Sequence, residues 1–436
     1  MQVIKSGAII YSMAKNRLLV LGGTGGREHA IGWNINKSGN VEVLYAPGNA
    51  GTETDGMNID IDRFDFPAVS DAIAREGVGL TVVGPDALLE KGVVDYLTAR
   101  GHRVYGPSRE AARLEWDKFF SYDVMHELHM PQARSVQCRS VREAANAIKK
   151  NANGSGIVLK ARGLTGGKGV GVFDTMQEAL RELHLHAEKY GQEMLVAERL
   201  VGEEVSVFGL SDGERVVPII PSFQDYKRLL DDDKGPNTGG MGAYGPATVA
   251  PPDVVRYVAE TMMTPIVHWM KKQGHEYRGF LYGGLMKTRA GWKVLEWNAR
   301  LGDPETQALA MMVDNLYEIV TLSQEGRLRE QDISYNPGAA CCVVIAAPGY
   351  PDDPQTGRII TGIDDTEEIK GVKVFHAGTR RRGDDTVSSG GRLLGVTGYS
   401  PLGIREAQAL AYQATPKIRV EGGSQYRRDI GNRAFR

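Results

Sequence analysis

The strongest limit on the fold is a unit near the N-terminus: a short apolar run, a glycine turn, then a helix-like stretch. It reads RLLVLGG from Arg17, followed by TGGREHAIGWNI. Two more apolar runs, VEVLYAPGN and LTVVGPDALL, follow, with the helical spacing of DFPAVSDAIAREG between them. Short apolar runs alternating with helices specify a parallel sheet covered on both faces. Residues 17–116 are therefore predicted to form a doubly wound parallel-sheet domain with its loops gathered at one sheet edge.

At 436 residues, the chain has room for about two to four such units. A helical stretch from Lys118 to His129 is stopped by Pro131. A compact α+β unit follows, with strands ARSVQC, IVLKARG and GVGVFD and helices SVREAANAIKK and TMQEALRELHLHAEKYG. MLVAERL opens a sheet-rich segment, and SYNPGAACCVVIAAPGYP opens a last region rich in glycine turns. The fold class is thus α/β and α+β multidomain, ending in a C-terminal α+β domain.

Net charge is −2, so no electrostatic footprint for nucleic acid or an anionic membrane is present, and an anion must be held by a local site. No apolar stretch approaches the roughly 20 residues of a bilayer span. Three cysteines, Cys138, Cys341 and Cys342, have no zinc spacing and fit a reducing cytoplasm. Residues 1–16 read as a ragged extension or misplaced start, with Met13 as the alternative initiator.

Two glycine motifs fail the patterns they suggest. In GGTGGREHA, a dinucleotide fingerprint starting at Gly23 needs glycine where Glu28 stands. What remains is a strand-to-helix turn whose N–H groups suit one phosphate or carboxylate, making Gly25, Gly26, Arg27 and Glu28 substrate-binding candidates. PGNAG, with Asn49, Ala50 and Gly51, would line the same crevice. GLTGGKGVGVF lacks the first glycine of a phosphate loop (Arg162 is there) and has Gly169 after the lysine. It joins two strands, so it reads as a flap in which Gly166, Gly167 and Lys168 fold over a triphosphate, with Lys160 pointing into the same cleft.

KVLEWNARLGDPETQ is the most informative segment. Glu296 and Asn298 alternate on a predicted strand and so share a face. A carboxylate and an amide oxygen suit Mg²⁺ (or Mn²⁺), which keeps several waters and bridges nucleotide phosphates. Arg300 shares that face and offers a fork to a phosphoryl group or carboxylate. In MLVAERLVGEEVSVFG, the strand-to-loop linker can meet an adenine edge, and Glu203 or Glu204 the ribose hydroxyls. PSFQDYKRLLDDDKGPNTGGMGAYGP reads as a long polar loop, functional by its length. Its Asp225, Lys227 and Arg228 suit an amino-acid zwitterion or a phosphosugar, and Asn237, Thr238, Gly239 and Gly240 offer N–H groups to an anion.

The motifs GGREHA, PGNAG, VVGPDALL, GKGV, QD-x-KR, GPNTGGMGAY, RLGDPETQ and the closing YRRDIG stand in the order found in the phosphoribosylamine–glycine ligase family, which the chain resembles from about Leu18 to Arg433. The resemblance implies a central ATP-grasp domain over 117–330, with a flap subdomain over 135–193, and a C-terminal domain over 331–436. It implies that Lys118 and Lys160 hold nucleotide phosphates, that Glu198, Arg199, Leu200 and Val201 form the adenine hinge, that Glu204 or Glu203 meets the ribose, and that Glu296 and Asn298 hold the metal. The implied reaction joins glycine to 5-phospho-D-ribosylamine at the expense of ATP, through a glycyl phosphate, with Arg300, Lys168 and Asp225 as catalytic candidates and the protein a monomer or weak homodimer. Two departures stand out: Arg162 replaces an aspartate before the flap, and Tyr226 replaces a histidine in the QD-x-KR motif. The first is expected to alter flap closure or nucleotide preference, the second the contacts of the substrate loop. Rival readings are another ATP-grasp carboxylate–amine ligase and a catalytically impaired nucleotide-binding homologue.

Overall fold

The computed structural model describes residues 16–150 and 156–436, so the expected N-terminal extension up to residue 15 lies outside the described residues. The first sheet is parallel throughout, in the order β3-β2-β1-β4-β5, with β1 at Asn16–Leu21, β2 at Val41–Ala46, β3 at Met57–Asn58, β4 at Val78–Val83 and β5 at Val104–Tyr105. Leu18 to Leu21 are fully buried, as a centre strand covered on both faces requires. Strand order reverses at β1, so the glycine turn after it opens into a crevice. The helix Phe66–Glu76 starts where Asp65 accepts the Ala68 N–H and stops at Gly77, whose φ of +63° is left-handed.

A small antiparallel sheet forms the flap subdomain, in the order β6-β9-β7-β8: Ser135–Cys138, Met194–Glu198, Ile157–Ala161 and Val170–Phe173. The helices Val141–Lys150 and Met176–Tyr190 back it and close a core of its own around Cys138, Ile148, Leu159, Leu183 and Val196. The second helix begins with a reciprocal cap, in which Thr175 accepts the Glu178 N–H and Glu178 accepts the Thr175 N–H, both at 3.2 Å.

The main sheet has eight strands. It contains β10 (Glu203–Asp212), β11 (Val216–Asp225), β14 (Gly242–Gly245), β15 (Arg278–Thr288), β16 (Gly291–Asn298), β17 (Ala339–Ala346), β19 (Val372–His376) and β22 (Arg392–Ser400), in the order β16-β15-β10-β11-β14-β17-β22-β19. Because β14 pairs directly with β17, one sheet runs across the expected boundary at 330/331. Cys341 and Cys342 sit fully buried in β17. Strands β12 (Arg228–Leu230) and β13 (Lys234–Asn237) form a hairpin, and β18 (Ile359–Thr361), β20 (Thr379–Arg382), β21 (Asp385–Ser388) and β23 (Arg419–Val420) form a small C-terminal sheet. Among the described residues no helix is long and apolar enough to cross a membrane.

The segment Pro221–Pro246, expected as a long loop, is mostly strand. The reason lies far away in sequence. Arg427 is fully buried and pairs with Asp233 at 3.0 Å and Asp429 at 2.6 Å, while Arg433 reaches Asp233 at 2.8 Å. Both guanidiniums lie over the Tyr226 ring, at 4.7 and 4.0 Å. The Tyr226 hydroxyl accepts the N–H groups of Gly431 and Arg433. The Asp233 charge in this expected loop is a partner of the C-terminal segment, and Tyr226 anchors that segment.

The flap helix should depend on its cap. Thr175→Ala is expected to cost about 1 kcal/mol, read as faster amide hydrogen exchange in residues 176–190; unchanged exchange would contradict the capping account.

Candidate active site

The β15–β16 pair brings Gly284 opposite Glu296 and Tyr282 opposite Asn298, with an irregular register at residue 295. From β7, the Lys160 ammonium donates to the Leu295 carbonyl at 2.8 Å. Lys118, first residue of the helix Lys118–Glu127, donates to Glu296 Oε2 at 3.2 Å. Lys227, just after β11, pairs with Glu204 at 2.8 Å. The flap strand, the helix start and β16 therefore meet at one carboxylate. Burial alone would protonate Glu296, yet Lys118, Lys227 and Lys160 outweigh it and hold its carboxyl well below the usual range. Burial lowers Lys160 to about 8, with Glu296 opposing the shift. Glu296 and Asn298 offer a carboxylate and an amide oxygen, the hard donor types that Mg²⁺ takes, and Glu296 Oε2 is occupied by the Lys118 ammonium.

The expected adenine hinge divides. Glu198 is engaged by Arg134 at 2.7 Å and Lys293 at 3.3 Å, and its N–H goes to the Arg134 carbonyl. Arg199 pairs with Asp174, and its N–H reaches Gly156. Leu200 and Val201 lie between strands, Val201 exposed. Glu203 and Glu204 face opposite ways along β10, Glu203 to solvent and Glu204 into the lysine cluster.

Gly166 and Gly167 take positive φ values of 59° and 78° at the flap tip. Lys168 does not join the lysines at Glu296: its ammonium donates to the Pro351 carbonyl at 2.9 Å. Asn237 donates to the Val170 carbonyl at 3.1 Å, so the flap rests on β13 as well. Arg162 bridges Asp117 at 2.9 Å and Glu193 at 3.1 Å, and its own carbonyl accepts the Lys118 N–H. It therefore ties the base of the flap to the helix that presents Lys118.

The far end of the cleft holds the loop after β16. Arg300 pairs with buried Glu115 at 2.7 Å, approaches Asn298 Oδ1 at 3.5 Å, and has no hydrogen-bond partner for Nε among the described residues. Burial pushes Glu115 up to about 7 against the pull of Arg300. Asp303 pairs with Arg392 at 3.1 Å and accepts from Gln307 at 2.8 Å. Asp225 Oδ1 is buried without a partner among the described residues, and burial together with Glu305 raises its carboxyl well above the ordinary value. Arg27 and Glu28 pair with each other at 2.5 Å, and Arg27 reaches the Leu301 carbonyl at 3.3 Å. A side chain at Gly25 would strike Glu28, and one at Gly26 would strike Gln307. The N-terminal turn thus packs onto the loop after β16.

One expectation is corrected. The N–H groups of Thr238, Gly239 and Gly240 do not point to an open anion position, being given to Lys227 O, Tyr350 Oη and Thr238 Oγ1. In a strand-flanked turn, internal acceptors satisfy them first. PGNAG begins beside the first glycine turn, where a Cβ at Gly23 would lie 2.6 Å from the Gly48 nitrogen. Asn49 closes its own turn by accepting from Gly51 and Thr52 and donates to the His376 carbonyl. Ala50 and Gly51 also line a cavity of about 330 Å³ with His29, Lys373 and His376. The sequence had not singled out Glu115, Lys293, Asp303, Glu305 or Arg392. Of these, only Asp303 carried a local signal, its four-residue spacing from Gln307 across the start of the helix Glu305–Met312.

A glycine hairpin leaning over a strand that presents a carboxylate and an amide, fused to a parallel-sheet domain, defines the ATP-grasp class. Comparison narrows it. Three family profiles match in order: "Phosphoribosylglycinamide synthetase, N domain" over residues 16–115, the "ATP-grasp (A) domain" over 116–306 and the "C domain" over 340–433. The phosphoribosylamine–glycine ligase of Rhodopirellula baltica is 42% identical over 435 residues, 97% of this chain and 99% of that protein. That of Escherichia coli K12 is 42% identical over 430 residues, covering 96% and 99%. The crystal structure of the Thermotoga maritima phosphoribosylamine–glycine ligase superposes with a TM-score of 0.79 at 33% identity, covering 95% of this chain and 99% of that one. A biotin carboxylase domain from Hydrogenobacter thermophilus, solved with MgADP, reaches a TM-score of 0.69 over 94% and 91% of the two chains, and at 17% identity shows the fold alone. The chain belongs to the phosphoribosylamine–glycine ligase family.

Glu115 tethers Arg300 twice, through the ion pair and by accepting the Ala299 N–H at 2.7 Å. Removing it leaves a buried guanidinium unmatched. Glu115→Ala is expected to lower the unfolding free energy by about 3–5 kcal/mol and Glu115→Gln by less, measured by denaturant titration. Equal, small losses for both would show that the pair is not needed.

Proposed function

We propose that this chain joins glycine to 5-phospho-D-ribosylamine, cleaving ATP to ADP and phosphate. The observation that carries the reading is the convergence of Lys118, Lys160 and Lys227 on the Glu296 face of β16, a positive concentration within a chain whose net charge is −2. Such a surplus suits a triphosphate. Leu200 and Val201 are the hinge residues for the base, and Glu296 and Asn298 hold Mg²⁺ or Mn²⁺. That ion, when bound, neutralises phosphate charge and orients the terminal phosphoryl group.

The amino acid lies between Arg300 and Asp225. The unpartnered Asp225 Oδ1 is an acceptor for its ammonium, whose arrival favours the ionised carboxylate, and the free Nε of Arg300 faces its carboxylate. A carboxylate oxygen attacks the γ-phosphorus, the bond to the β-phosphate oxygen breaks, and glycyl phosphate and ADP form. The amine nitrogen of phosphoribosylamine then attacks the acyl carbon. The carbon–oxygen bond to phosphate breaks, and the departing phosphate takes the proton lost by nitrogen. No side chain serves as a nucleophile. Lysines stabilise charge on the transferring group, and the flap, seated on Asn237 and Pro351, excludes water.

ADP release should require glycine and phosphoribosylamine together; release driven equally by other acid–amine pairs would overturn the substrate assignment. Glu296→Ala is expected to cut turnover at least about a hundredfold with an unchanged circular-dichroism spectrum, and near-normal activity at saturating Mg²⁺ would remove Glu296 from the metal site. Because Lys160 in the free enzyme titrates near pH 8, its positive charge is present below that pH and lost above it. kcat/KM for ATP should therefore fall as pH rises through about 8, and the Lys160→Arg variant should lose that limb. A limb retained in the variant would assign it elsewhere.

A further inference from the structure

We infer that Arg392, brought from the C-terminal region by β22, is a positioning residue for the ligation: it sets the Gly239–Gly240 turn against Asp225 and the loop after β16. This rests on the reaction proposed above. One nitrogen of its guanidinium donates to the carbonyls of Gly239 at 2.6 Å and Asp303 at 2.7 Å, with Gly240 at 3.4 Å, while the other meets the Asp303 carboxylate at 3.1 Å. Burial works against the charge on Arg392, and Asp303 together with Tyr350, Asp225 and Glu305 outweighs it. Among the described residues no other side chain donates to the carbonyls of Gly239 or Gly240. From the opposite side, the Gly239 N–H donates to the Tyr350 hydroxyl at 3.0 Å. The C-terminal region therefore holds Gly239 at both its N–H and its C=O, and so fixes the Gly239–Gly240 peptide in the turn after β13.

That peptide's position matters because nothing separates it from the groups assigned to the amino acid. Gly240 has a φ of +110°, and a Cβ there would lie 2.8 Å from Asp225 Oδ1 and 2.5 Å from the Pro304 ring. A turn that shifts by a few tenths of an ångström either presses Asp225 toward Glu305 or opens the space between Asp225 and Asp303. A planar fork can reach two separate loops at once, which a single ammonium on a flexible stem does poorly. Of the three nucleotide lysines only Lys227 touches this turn, through its backbone carbonyl and not its ammonium, so the effect should be centred on the acceptor end of the cleft.

The test uses full-length Arg392→Met and Arg392→Lys with the parent enzyme, measuring kcat and separate KM values for glycine, phosphoribosylamine and ATP. The expected result is a rise of about ten- to a hundredfold in KM for glycine or the amine in Arg392→Met, a smaller rise in Arg392→Lys, and KM for ATP within about twofold. If Arg392→Met is poorly folded by circular dichroism, Tyr350→Phe removes only the hydroxyl behind Gly239 and should raise the same KM more modestly. Unchanged glycine and amine KM values, or a parallel loss that includes ATP, would overturn the positioning role. A parent enzyme that releases no ADP with these substrates would instead sink the reaction, and the same KM comparison would then be run with whichever acid–amine pair it uses.

Discussion

Three ammonium groups around one carboxylate are the constraint on which the cleft depends. Lys118, Lys160 and Lys227 come from a helix start, a flap strand and a sheet turn, and Glu296 with Glu204 balances only part of their charge. In a poorly solvated cleft such an excess is costly unless a polyanion completes it. The electrostatics of the unliganded protein thus specify a ligand with several negative charges, and Lys160 shows the strain most directly, being the lysine that burial brings nearest to losing its proton.

Holding those charges apart requires rigid support, and the support is non-local. Arg162 links the flap base to the helix that presents Lys118 through Asp117, whose side chain also caps that helix. Glu115 fixes Arg300 from the far side of the cleft. Arg427 and Arg433 pin the hairpin that follows Asp225, and both stack on Tyr226. Lys118, Lys160, Arg300 and Asp303 are each held by an ion pair or hydrogen bond from a different region, which is how a cleft lined by flexible lysine side chains keeps a defined shape.

What could be read from the sequence follows from this division. The parallel sheet was legible because β1, β2 and β4 are apolar along their length, and Glu296 and Asn298 were legible because period two is a local property of a strand. The gathering of Lys118 and Lys160 came through family likeness. Contacts across long stretches of chain were not legible. The segment around Asp233 read as a loop because its partners Arg427 and Arg433 stand about 200 residues away. The N–H groups of Gly239 and Gly240 looked available because Tyr350 and the Thr238 hydroxyl, their acceptors, carry no turn signature. Lys168 looked bound for the triphosphate because nothing in its motif shows that Pro351 lies within its reach. Glu203 and Glu204 looked interchangeable until the strand assigned them to opposite faces.

The pairing of β14 with β17 has a consequence for how such a protein is inherited. Severing the chain between them would strip two interior strands of their neighbours and bare a row of unsatisfied amides on each fragment, an invitation to aggregation. The segment after residue 338 therefore cannot be traded between proteins as an independent module. Recombination through the middle must carry both halves of that ladder together.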